Sequence, residues 1–406
     1  MKKKLILSLL LMVTAVFAVG CSSSDSGEKI ASKNTTLVTQ VIDKGEVGSA
    51  IIIDYKGSVT GNELSNTDFS VFAGDKSRGI KAVYASKDAT VGTPAAKGNY
   101  VVIELNPADD NASTLSFDVE KFNNERANLK YTVKQNSDIN AGDKDYVETS
   151  ALKVENVVSP ILDEFKAGEL KDGSTTMPYR MYSPKASKDK KPLIVFLHGS
   201  GERGDDNELQ LLGNDGPATF AGAAFQSTTP SYVLAPQVEW DEARNGWFTE
   251  GKTETVKKLI DQVIAENDDI DTSRIYLTGV SNGATGVWKM LTENPDFYAA
   301  GAPIAGYMYD KDAEFVVNGT SRYLEPNPAD AEKIKNIPIW AYQAEDDQVN
   351  SVEGTKSAVK AIQDAGGEKV QMTIYPAGLV TPSPHASWEK AYNDSRLLTW
   401  MAAQVK

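Results

Sequence analysis

Two rhythms of apolar residues divide the chain. From about residue 35 to 136, apolar and polar side chains alternate in short runs: TTLVTQVID, SAIIIDYKG, FSVFAG, GIKAVYAS, GNYVVIELN, STLSFDVEKF and NLKYTVKQN. The runs are rich in β-branched and aromatic residues, and turn-forming clusters such as KGSVTGNELSNTD separate them. That alternation, with no helical stretch between the runs, predicts an all-β sandwich of short strands. After NAGDKDYVETS, which reads as a linker, the rhythm changes. MPYRMYSP, PLIVFLHG, SYVLAPQ, RIYLTGVS, GAPIAG, IPIWAYQAED and VQMTIYP read as strands, and PLIVFLHG is the nearly continuous apolar run of a sheet covered on both faces. ETVKKLIDQVIAEND places Val256, Leu259, Ile260, Val263 and Ile264 at helical spacing, and GATGVWKMLTENP, PADAEKIKN and VEGTKSAVKAIQDAGG are further helices. Alternating strands and helices predict a mostly parallel sheet flanked by helices. The expected domains are a sandwich over 35–150 and an α/β unit over 160–406.

Within the α/β unit, Ser281 lies in GVSNG between a predicted strand and a predicted helix. The G-x-S-x-G spacing sets a serine on a sharp strand-to-helix turn, exposed at the end of the sheet. A serine nucleophile needs a base, and imidazole titrates near neutrality. The chain has two histidines. His198 stands in FLHGSGERG at the end of an early strand, where Gly199 and Gly201 let the backbone approach a substrate closely. That loop is suited to orient N–H groups toward a developing oxyanion. The expected donors are the N–H of Asn282 and one from the Ser200–Gly201 turn. His385 stands in PAGLVTPSPHASWEKAYND, a loop after the last strand, from which it reaches back over the sheet toward Ser281. An acid must orient the imidazole, and IPIWAYQAEDDQVN offers Glu345, Asp346 and Asp347 in succession. The pattern alone leaves Asp346 and Asp347 both open. Serine, acid, histidine is the chain order of α/β-hydrolases.

Charge and cysteine usage narrow the setting. The chain of 406 residues carries 42 basic and 56 acidic side chains, and its first 20 residues hold three of the lysines. Without them the formal charge goes from −14 to −17, so nucleic acid is not an expected partner. MKKKLILSLLLMVTAVFAVGC has the basic start, apolar stretch and small residues of a secretory signal over 1–20. AVGC resembles a bacterial lipobox, which makes Cys21 a lipidation site and residues 21–34 a polar tether. The expectation is a lipoprotein on the extracellular face of a bacterial cell membrane. A single cysteine excludes an intrachain disulfide, and two distant histidines with one lipidated cysteine do not assemble a zinc site. No metal in the site and no cofactor are therefore expected. The sandwich carries no histidine, its acids are scattered on positions expected to face outward, and it reads as a spacer or binding module.

At these residues the chain resembles a known family. LIVFLHGSGERG is similar to the first motif of the secreted bacterial esterases grouped with polyhydroxybutyrate depolymerases and feruloyl esterases. GVSNGATGVW is similar to their nucleophile elbow, and the H-x-x-W of His385 and Trp388 to their histidine loop. The family's acid sits in a D-x-V context, so the resemblance selects Asp347, in Asp347-Gln348-Val349. The full layout resembles two-domain esterases with an immunoglobulin-like domain ahead of an α/β hydrolase. The resemblance implies a serine carboxylesterase working through an acyl-enzyme, on acylated polysaccharide or small aromatic esters. Trp240, Trp247 and Phe248 in PQVEWDEARNGWFTE are candidate pocket residues, residues 307–327 a candidate lid or specificity wall, and Glu202 and Arg203 candidate braces of their loop. Two other functions compete: a serine peptidase of the prolyl-oligopeptidase type, and a surface binding protein with a vestigial hydrolase half.

Overall fold

The computed structural model describes residues 27–127, 130–173, 175–241 and 246–406. The signal, Cys21 and the first part of the tether lie outside the described residues. The N-terminal half is a sandwich of two sheets. One orders Asn156–Val158, Thr35–Ile42, Gly45–Thr60, Lys97–Leu105 and Ile80–Ser86; the other orders Leu152–Lys153, Tyr131–Gln135, Phe69–Ala73 and Lys76–Arg78. Alternate residues such as Leu37, Ile51, Ile53, Val71, Val101, Ile103 and Val133 meet between them as one apolar cluster.

Three details depart from the sequence reading. NAGDKDYVETS is not a free linker: Ile139–Asn140 pairs with Asp145–Tyr146, and Tyr146 is buried edge-on against Tyr55, 4.9 Å between centroids. One aromatic in a polar stretch is enough to anchor it, and the sandwich continues through Val158, past the expected boundary at 150. Part of the STLSFDVEKF run leaves the sandwich sheets. Its Leu115–Asp118 pairs only with Asn123–Arg126, forming a separate two-stranded ribbon. Nor do all acids of this half face outward. Glu46 is fully buried, where it accepts hydrogen bonds from the Thr39, Thr114 and Ser159 hydroxyls. Arg126 joins Glu46 at 2.6 Å to Glu208 of the second half at 2.8 Å, so the buried carboxylate is paired and tied across the domain junction.

The second half is built on an eight-stranded sheet in the order Lys166–Asp172, Thr175–Tyr182, Tyr232–Pro236, Lys191–Leu197, Ile270–Val280, Ala300–Ile304, Ile339–Ala344 and Val370–Tyr375. The first two strands are antiparallel and the last six are mutually parallel. Every residue of Lys191–Leu197 is buried. Leu193, Val195 and Leu197 join the apolar layer on one face, while Ile194 and Phe196 join the other. That two-sided burial is what a continuous apolar run encodes. Helix Lys252–Glu266 buries Val256, Leu259, Ile260 and Val263 on the first face, beside helices Asn282–Glu293, Pro328–Ile334 and Val352–Asp364. Ser395–Ala402 covers the second face with Leu397 and Met401. The parallel strands carry their carboxyl ends to one edge, where the loops gather, as in other α/β sheets.

Candidate active site

Strand Ile270–Val280 runs into helix Asn282–Glu293 with a single residue between them, and that residue is Ser281. Its backbone stands at φ 52°, ψ −116°, a conformation that costs an ordinary residue about 1–3 kcal/mol. The flanking glycines explain how the turn closes. A Cβ on Gly283 would lie 2.0 Å from the Leu197 carbonyl oxygen, and one on Gly279 would lie 2.6 Å from the same atom. The elbow thus presses directly on the end of the neighbouring strand, and the Ser281 N–H is fixed to the Ile304 carbonyl at 2.9 Å.

The structure brings Ser281, His385 and Asp347 into one line. His385 Nε2 lies 2.9 Å from Ser281 Oγ, and Nδ1 lies 2.9 Å from Asp347 Oδ2. The Asp347 side chain is fully buried and that of His385 is 13% exposed. Asp347 Oδ1 accepts from the Val349 and Asn350 N–H groups at 2.8 and 3.1 Å, and Oδ2 accepts from Gln343 Nε2 at 3.0 Å. With both oxygens held, the carboxylate is left one direction in which to orient an imidazole N–H. Asp346 faces elsewhere. Its Oδ2 accepts from the Gly378 N–H at 2.9 Å and so ties down the loop that carries His385. Trp388 sets its ring edge against His385 at 5.3 Å.

His198 has a different part. It is fully buried, and burial pushes its imidazole down to about 3, so it stays neutral. Its Nδ1–H donates to the Gly199 carbonyl at 2.6 Å, while Nε2 accepts from the Val238 N–H at 3.1 Å. It welds the Ser200–Gly201 turn to the sheet. Ser200 lines the cavity in front of Ser281, as does Asn282, whose first-turn N–H has no acceptor within its own helix.

Glu202 and Arg203 are buried, and each hydrogen-bonds to the ribbon of the N-terminal half. Asn124 Nδ2 donates to Glu202 Oε1 at 3.0 Å; Arg203 donates to the Ser200 carbonyl at 2.8 Å and to the Phe122 carbonyl at 3.3 Å. Burial raises Glu202 to about 7, opposed by the Gly199 N–H, Asn124, its own N–H and Arg203. The folded state therefore retains this proton while the unfolded chain, near 4.5, has lost it. Glu202 thus contributes stability below pH 4.5 that is lost as pH rises through 7. His198 runs the other way: its neutral form is the folded one, and its contribution is lost as pH falls below about 6.5. The difference between wild type and Glu202→Gln isolates the carboxyl. The melting temperature of Glu202→Gln is expected to gain on wild type steadily from pH 4.5 to 7; a constant difference would contradict the assignment.

A cavity of about 760 Å³ opens over Ser281, walled by Phe122, Phe248, Tyr307 and Phe315 with Thr285, Gln348 and Arg322. Of the three pocket candidates only Phe248 lines it, stacked on Tyr309 at 5.3 Å. Trp247 is fully buried beneath the elbow, where its Nε1–H donates to the His198 carbonyl at 2.8 Å. Trp240 lies outside the cavity and donates to the Lys121 carbonyl at 3.0 Å, across the domain junction. Segment 307–327 does form a wall, through Tyr307, Phe315, Thr320 and Arg322. The sequence reading missed Phe122. It sits at φ 52° in the ribbon between Leu115–Asp118 and Asn123–Arg126, and it brings the N-terminal domain into the site. Among the described residues no group of three or more His, Cys, Asp or Glu is placed to hold a metal ion.

Comparison with known proteins agrees with this architecture. Residues 34–148 match the family described as the esterase Ig-like N-terminal domain. A poly(3-hydroxyalkanoate) depolymerase C of Paucimonas lemoignei is 31% identical over 136 residues, and the match spans 31% of this chain and 30% of that curated relative. A crystal structure of a thermostable esterase superposes with a TM-score of 0.82 at 35% identity, over 92% of this chain and 100% of that one. The chain belongs to the family of carboxylic ester hydrolases that place an immunoglobulin-like domain ahead of an α/β-hydrolase domain.

Proposed function

We propose that Ser281 is the nucleophile of a serine carboxylesterase, His385 its base and Asp347 the acid that orients the base. The observation that carries this reading is the continuous hydrogen-bonded line from Ser281 Oγ through His385 to Asp347, opening into an aromatic cavity. His385 takes the hydroxyl proton as Ser281 Oγ attacks the ester carbonyl. Negative charge develops on the carbonyl oxygen and is held by the N–H of Asn282 and one from the Ser200–Gly201 turn, each worth about 3 kcal/mol in the transition state. His385 returns the proton to the leaving alcohol, then activates water to hydrolyse the acyl-enzyme.

Four aromatic rings around Ser281 favour an acyl or alcohol group with a flat or apolar face, such as an aromatic ester or the acyl group of a decorated polysaccharide. The name of the Paucimonas relative adds aliphatic polyester to the candidates. A panel of acetyl, butyryl and feruloyl esters, a 3-hydroxybutyrate oligomer and a prolyl amide ranks them. Ester turnover without amide turnover is expected, and a preference for the amide would move the reading to a peptidase. The start of the sequence supports export and a lipid on Cys21. In a bacterial host, wild type but not Cys21→Ser should then partition with membranes and take up a labelled fatty acid. Equal partitioning of both would end that part of the proposal.

A further inference from the structure

Arg322 is the charged residue among those that line the cavity with Ser281. It belongs to a hairpin, Val316–Asn318 with Ser321–Tyr323, whose backbone is tied to the loop carrying Asp347. The Arg322 N–H donates to the Val349 carbonyl at 3.2 Å, and its own carbonyl accepts from the Ser351 N–H at 3.0 Å. Its guanidinium lies over the Phe315 ring, 4.4 Å from the centroid, and Phe315 meets Tyr307 edge-on at 5.9 Å. Backbone and ring together hold the cation at the cavity wall.

Among the described residues the Arg322 guanidinium has no carboxylate partner. Arg78, Arg126, Arg274 and Arg396 pair with Asp109, Glu46 and Glu208, Asp271, and Asp394, and Arg180 is spent on backbone carbonyls. Arg322 forms no ion pair with a described carboxylate, in a chain where acids outnumber bases by 56 to 42. The Arg322 side chain is exposed, so a substrate entering from solvent meets the guanidinium directly. The general field of so acidic a protein repels anionic substrates, and one held cation at the mouth reverses that locally. Guanidinium offers a planar fork that matches a carboxylate.

We propose that Arg322 is a specificity residue that binds a free carboxylate on the substrate, remote from the ester cleaved at Ser281. The favoured substrates are then half-esters: esters whose acyl or alcohol part also carries a carboxylate. This rests on the esterase reading above. The test compares matched pairs on the full chain. A 4-nitrophenyl butyrate is set beside the 4-nitrophenyl monoester of glutaric acid, and 4-methoxycarbonylphenyl butyrate beside 4-carboxyphenyl butyrate. The first pair places the carboxylate on the acyl side and the second on the alcohol side. In Arg322→Gln the charged-to-neutral ratio of kcat/KM is expected to fall about fivefold to tenfold in one pair, mainly through KM. Any loss on the neutral esters should be smaller than the loss on their charged partners. Arg322→Lys should keep part of the preference, and about 1 M salt should erode it in wild type. An unchanged ratio in both pairs, or an equal loss on charged and neutral esters, overturns the proposal. Wild type that cleaves none of the four esters would instead overturn the esterase reading, so the two failures are distinct.

Discussion

Ser281→Ala is expected to lose about 10⁴–10⁶-fold in kcat on every ester the wild type cleaves, while folding and binding are nearly unchanged. The size follows from the geometry. Oγ is the atom aligned with His385 Nε2 at 2.9 Å, whereas Ser200, another hydroxyl lining the cavity, stands on the loop braced by His198 and Arg203. Removing Oγ leaves the oxyanion donors and the pocket but nothing to form an acyl-enzyme. The substitution is also mild for the fold, because alanine keeps the Cβ and the N–H bonded to Ile304. An unchanged melting temperature with turnover at the level of buffer is the predicted pair of results. Retained turnover would move the nucleophile elsewhere.

The second large effect separates two adjacent carboxylates. Asp347→Asn should cost about 10³–10⁴ in kcat, and Asp346→Asn less than about threefold. In Asp347→Asn the amide oxygen is drawn to the Oδ1 position, because the Val349 and Asn350 N–H groups donate there. The amide NH₂ then faces both Gln343 Nε2 and His385 Nδ1, where the carboxylate had accepted from both. A donor opposite Nδ1 forces the imidazole proton to Nε2, the atom that must receive the serine proton. Asp346→Asn keeps an oxygen for the Gly378 N–H and leaves the imidazole untouched. Comparing kcat for the two variants on one ester decides the matter; equal losses would contradict the assignment.

These residues differ in how legible they are from sequence. Ser281 and His385 come from local rules, a glycine-flanked turn between strand and helix and a search among two histidines. The sheet is legible because burial on both faces leaves an unbroken apolar run such as that of Lys191–Leu197. Asp347 is chosen over Asp346 only by resemblance, since neighbours on a strand end have the same composition and differ in direction. Trp247 and Phe248 are adjacent for the same reason: one packs under the elbow and the other lines the cavity. Phe122 is least legible. Its ribbon has the alternation of a sandwich strand, and only the docking of two domains through Arg126, Asn124 and Arg203 carries it to Ser281. Arg322 has no periodic signal either, because its place is set by backbone bonds to Val349 and Ser351.

The most direct test of the account is to trap the acyl-enzyme. The full chain is mixed with excess 4-nitrophenyl butyrate, quenched in acid within the first turnovers, digested and mapped by mass. A butyryl group is expected on the peptide containing Ser281 and is expected to be absent from Ser281→Ala. Acylation of a different residue, or label that persists in the variant, would contradict it.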